Sequence, residues 1–167
     1  MPSKTAYAAA LAALVLAAGL STLRPTAADE ESAANAKPDG VYMPGLGEFM
    51  LAAQLHHTKL WFAGDAGNWD LASYEIDEMK ESLSNASKYY PKSDDFDVAG
   101  GMKANIEAPL DRIGKAVDGK DKAGFASAFT ALTNGCTNCH ASSKHAFIRI
   151  QKPTTAELTN QNYAPVK

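Results

Sequence analysis

The stretch "DKAGFASAFTALTNGCTNCHASSK", Asp121 to Lys144, holds both cysteines of the 167-residue chain. Phe125, Phe129, Leu132, Cys136 and Cys139 recur in it at steps of three and four. That period puts them along one side of an α-helix. Cys136, Cys139 and His140 stand at i, i+3 and i+4, positions that share a helix face. The spacing predicts a helix from Lys120 or Asp121 to about Ile150, with Phe147 on its inner side and Pro153 as its stop.

Three earlier stretches carry the same period, and none alternates as a strand would. The first helix is predicted from Pro44 or Leu46 to about Phe62. Leu46, Met50, Ala53, His57 and Leu60 form its stripe, and Phe49, Ala53, His56 and Leu60 an overlapping one. Gly64 and Gly67 in "AGDAGN" read as its end. Asn68 is then the N-cap of a second helix, Trp69 to about Tyr89, with Ala72, Ile76, Met79, Leu83, Ala86 and Tyr90 inward. A third runs from about Val98 to Val117, with Met102, Ile106, Leu110, Ile113 and Val117 inward. Pro109 lies inside it, which predicts a kink or a late start. Four amphipathic helices with short breaks predict an all-α chain, an antiparallel four-helix bundle over residues 44–152. The inner faces are rich in alanine and methionine and leave room for something else in the interior. Residues 153–167 form a tail without period.

The chain opens with one lysine, Lys4, then "AYAAALAALVLAAGLSTL", Ala6 to Leu23. A charged start, an apolar run and small residues after it read as a secretory signal over residues 1–28, cut after Ala28, with Ala36 as second choice. The rival reading, an uncleaved anchor, is weakened by the many alanines. A flexible polar leader, residues 29–43, follows. No later segment is apolar enough to enter a membrane, so the cleaved chain is expected in the periplasm.

The formal charge is −3, and losing Lys4 and Arg24 with the signal takes it to −5. An acidic chain lacks the basic footprint of a nucleic-acid binder. The basic residues concentrate after Gly101, and Lys122, Lys144, Arg149 and Lys152 fall near the cysteines. They could steer an acidic partner, though a solvated face is the commoner use of such charge.

Cys136-x-x-Cys139-His140 is the sequence form of c-type haem attachment. Two thiols add to the vinyl groups of one macrocycle, and the imidazole reaches its iron. Three rivals fit less well. A structural zinc site needs four ligands, and there are no further cysteines, while His56 and His57 are adjacent rather than spaced for chelation. A thioredoxin-like pair sits at a helix start after a strand. A disulfide across two residues is strained on a helix and closes a tiny loop. No nucleophile–base pair stands out, so the chain does not read as an enzyme.

Here the chain resembles the class II cytochromes c, the cytochrome c′ group. The resemblance rests on "DKAGFASAFTALTNGCTNCHASSK", on "NWDLASYEI" at the start of the second helix, and on the late position of the motif. It covers roughly Gly45 to Arg149. Ser143 and Lys144 stand where the family often has an aromatic residue and an arginine, and the tail past Arg149 is longer than the family needs. The resemblance implies one covalent haem c, with His140 as the proximal iron ligand. It also implies a sixth ligand from the first half of the first helix, where the register from Asp70 lands on Phe49 or Met50. Met50 would ligate through its thioether, and histidine–methionine ligation suits electron transfer. Methionine is more often core filler. His57 shares the stripe about 10 Å further along the axis and is the alternative ligand. His56 is a weaker one, and an open iron with Phe49 as a steric guard is a further choice. His145 is expected at the surface. Two functions follow: a one-electron carrier working with redox partner proteins, or a five-coordinate haem protein that binds nitric oxide or carbon monoxide. A haem subunit of a larger redox complex is a third. Family members often form homodimers.

Overall fold

The computed structural model describes residues 42–156 and 160–166, so the predicted signal and nearly all of the leader lie outside the described residues. Helix α1 spans Leu46–Ala66. Its start is held by Glu48, whose side chain accepts the Gly45 N–H at 2.6 Å. It ends at Gly67, whose φ of 73° is the left-handed geometry that stops a helix. Gly64, expected as a breaker, lies inside the helix. A Cβ there would stand 2.1 Å from the Phe125 ring, so the glycine is a contact point and the helix runs a turn past Phe62.

Helix α2 spans Trp69–Tyr89 as predicted, and the Asn68 side chain accepts the Leu71 N–H at 3.2 Å. Its predicted stripe is buried at Ala72, Ile76, Met79 and Ala86. A two-residue ladder absent from the sequence reading follows, β1 Lys92–Ser93 antiparallel to β2 Phe96–Asp97.

The third helical stretch has three parts: α3 Val98–Met102, a π-helical turn Lys103–Glu107, and α4 Ala108–Asp118. Pro109 sits at the start of α4, where its missing N–H costs least. The expected irregularity therefore falls one turn earlier, as the π turn. Helix α5 spans Lys122–Ser142, capped by the Asp121 carboxylate on the Ala123 and Gly124 N–H groups.

α5 ends eight residues before the predicted Ile150. Lys144 takes a left-handed φ of 65°, and the His145 N–H bonds back to the His140 carbonyl at 2.8 Å. That is a Schellman stop, reached well before Pro153. Phe147 is consequently 79% exposed rather than inward.

The described fold is all-α apart from the small ladder. α1 packs on α2, α4 on α5, and α1 also on α5. α1 and α5 pass in opposite directions, since Gly64 meets Phe125 while His57 meets Thr133. Leu60, Ile113, Phe125, Phe129 and Leu132 are almost fully buried between the elements. Each such side chain contributes about 1.5–3 kcal/mol on leaving water. Trp61 stacks on Phe125 at 6.0 Å and lies against Phe129 at 5.1 Å. The large side chains thus fill one end of the α1–α5 contact. The other end, where α5 carries its cysteines, is lined by smaller and more flexible ones.

Candidate functional site

Cys136, Cys139 and His140 open on a cavity of about 540 Å³. Leu46, Met50, Ala53 and His57 of α1 form the facing wall. Met79 and Leu83 of α2, with Phe96, Met102 and Ile106, close the sides. The volume lies within the roughly 300–1,000 Å³ typical of small-molecule and cofactor sites. Gly101 backs the cysteines. A Cβ there would lie 2.3 Å from the Phe96 ring and 3.3 Å from Cys139 Sγ, so the missing side chain leaves the sulfur its space.

The two cysteines are free, and burial pushes the Cys136 thiol up to about 12. Burial raises Cys139 as well. Both are neutral thiols at pH 7, the opposite of the activated thiolate of a redox pair. Among the described residues no three His, Cys, Asp or Glu side chains converge as metal ligands, so the zinc reading finds no ligand set there.

His140 is half-buried, and burial lowers its pKa. Its Nδ1 lies 3.2 Å from the Ile148 carbonyl. A carbonyl only accepts, so Nδ1 carries the proton and Nε2 holds the free lone pair.

The chain after α5 folds back beside the helix, and Ile148 and Ile150 line the cavity. So does His145, expected at the surface and found half-buried, because the early helix stop turns it inward. Its Nδ1 lies 2.7 Å from the Ser143 carbonyl. Of the basic residues expected near the cysteines, Lys144 and Arg149 are exposed at this end. Lys122 is not near them: it opens α5, about 27 Å from His140 by helix rise. Lys152, also exposed, lies 4.4 Å over the Trp61 ring.

The other candidates separate clearly. Met50 lines the cavity. Phe49 does not; it stacks on Tyr89 at 6.1 Å and is no guard of this site. His56 points to the other side of α1, where Nδ1 meets Glu75 at 2.8 Å. Lys59 meets the same carboxylate at 2.6 Å. Glu75 is completely buried, which the sequence reading missed. The available signal was an acid three residues after Ala72, on the apolar stripe of α2.

His57 lines the cavity and is buried, with Nε2 at 2.9 Å from Thr133 Oγ1. The Thr133 hydroxyl already donates to the Phe129 carbonyl at 2.9 Å. Thr133 therefore accepts, and His57 Nε2 carries the proton. Burial lowers the His57 pKa to about 4. The folded state then binds fewer protons than the unfolded state between about pH 4 and 6.5, so acid favours unfolding. Stability should fall by about 3 kcal/mol from pH 7 to pH 4 on this account. Urea unfolding of wild type and His57→Gln across that range checks it: the variant should lose that share of the pH dependence.

Comparison with protein-family models, with curated proteins and with solved structures finds no match for this chain.

Proposed function

We propose that the chain is a periplasmic monohaem c-type cytochrome, a four-helix bundle of the class II kind that carries single electrons. The observation that carries the reading is the arrangement of Cys136, Cys139 and His140 on the wall of one largely apolar cavity. The residues fit such a group. Cys136 and Cys139 have the sequence spacing for two thioethers, and Gly101 leaves room beside Cys139. His140 is held as the tautomer whose Nε2 can ligate iron. When bound, the haem would supply a one-electron ferric/ferrous couple.

The chain's own residues would hold that group dry and fixed. Leu46, Ala53, Leu83 and Ile106 exclude water, and the hydrogen bond from His140 fixes the ring. Met50 is the sixth-ligand candidate. It lines the wall facing His140, and its sulfur has no hydrogen-bond partner among the described residues. The Met102 sulfur lies 2.9 Å from Ser87 Oγ. His57, with its Nε2 proton on Thr133, keeps a lone pair on Nδ1 and stays the alternative ligand. Lys144 and Arg149, exposed beside the cavity, suit an acidic redox partner.

Absorption spectra of the oxidised and reduced protein test the reading. A low-spin spectrum unaffected by carbon monoxide is expected of a carrier. A high-spin spectrum that shifts with the gas would favour the gas-binding alternative. Met50→Ala should convert a low-spin spectrum to high-spin. An unchanged spectrum in that variant would remove Met50 as ligand.

A further inference from the structure

Thr137 lies one turn before His140 on α5 and makes an unusual pair of contacts. Its hydroxyl donates to the Ile150 carbonyl at 3.1 Å and accepts the Ile150 N–H at 3.0 Å. One side chain thus brackets both backbone polar groups of a residue thirteen positions on. Between the two anchor points the chain leaves α5 through left-handed Lys144, and the Ile148 N–H closes a turn on the His145 carbonyl at 2.8 Å. That turn presents the Ile148 carbonyl to His140 Nδ1 at 3.2 Å. Beyond the bracket, Lys152 rests on the Trp61 ring, which ties the strap to α1.

Nothing in α1–α5 bonds the His140 ring in the described structure; its hydrogen-bond partner comes from the strap. A hydroxyl accounts for both bracket bonds. Valine has the same shape and could make neither.

We propose that Thr137 is a positioning residue for His140: by clamping Ile150 it holds the Ile148 carbonyl on Nδ1 and so sets the orientation and electron donation of the imidazole. The inference rests on the cytochrome reading above. A carbonyl on Nδ1–H makes Nε2 a stronger donor, which favours ferric iron. Releasing the carbonyl therefore raises the reduction potential.

The experiment uses the full chain matured in a host that attaches haem c, as wild type, Thr137→Val, Thr137→Ser and Thr130→Val. Thr130 is the control: it makes a similar hydroxyl bond on the same helix, to Ala126, on an exposed face. Thr137→Val should shift the ferric/ferrous equilibrium about tenfold toward ferrous, a rise of about 59 mV for one electron. Thr137→Ser and Thr130→Val should keep the wild-type potential. In the wild type, the His140 Nδ1 proton should exchange slowly with solvent, a measurement that needs no variant to fold. If the haem is attached but Thr137→Val leaves the potential unmoved, or the wild-type Nδ1 proton exchanges freely, the positioning role is overturned alone. A wild-type chain without the added mass overturns the cytochrome reading and this inference together.

Discussion

On the cytochrome proposal, replacing Cys136 and Cys139 together by serine should yield a colourless protein whose mass is that of the bare polypeptide. This is the largest effect expected of any substitution here, because it would remove the proposed covalent cofactor outright. Serine is close to cysteine in size and is neutral. The two thiols are neutral too, since burial holds Cys136 up at about 12 and raises Cys139. The change therefore leaves the local charge alone and removes only the nucleophilic sulfurs. Each single variant would keep one of the two proposed thioethers and should retain some colour. The double variant also leaves the cavity of about 540 Å³ without the group proposed to fill it. A ligand that binds only the folded state stabilises it, so the melting temperature should fall alongside the lost absorbance. Mass spectrometry and visible absorption decide the result. Wild-type protein that matches the bare chain mass would end the cytochrome proposal.

Gly135→Ala should be the most damaging glycine-to-alanine substitution among the packed helices. An alanine Cβ at this position would stand 2.2 Å from the Asn105 carbonyl oxygen and 3.2 Å from its carbon. Backbone cannot rotate away as a side chain can. Asn105 belongs to the π turn, just upstream of Pro109, which has no N–H to give to the Asn105 carbonyl. Here the widened turn leans on α5 at the residue before Cys136. A methyl group would push the π turn and α5 apart and disturb one wall of the cavity. Overpacking of this kind costs about 1–3 kcal/mol and occasionally more; with backbone as the obstacle, about 3 kcal/mol is expected. Chemical unfolding measures it. By contrast, Gly114→Ala should be tolerated, since a Cβ there meets nothing within 4 Å. Equal stability of the two variants would contradict the close approach at Gly135.

The helices were legible because their signals are local. The Asn68 cap and the stripe of α2 predict its bounds, and the period of α5 predicts the burial of Phe125, Phe129 and Leu132. Gly64 misled because a glycine reads alike as a breaker and as a seat for a distant ring, and only the position of Phe125 distinguishes the two. The end of α5 was missed for a related reason. Lys144 does not announce a left-handed residue, and the stop gains from contacts made by the chain beyond it, through Thr137 and Ile150.

The candidate site divides the same way. The order Cys136-x-x-Cys139-His140 specified, by itself, a helix face carrying two thiols and an imidazole, since chemistry and helical period both follow from neighbours along the chain. Tertiary structure alone decided what that face looks at. It brought Met50 and His57 to the cavity wall, turned Phe49 and His56 away from it, and buried Glu75 between His56 and Lys59. It also delivered the Ile148 carbonyl to His140. Those contacts join residues far apart in the chain. They depend on how helices rotate and pass one another, and a period fixes which side of a helix is apolar but not what lies opposite each position.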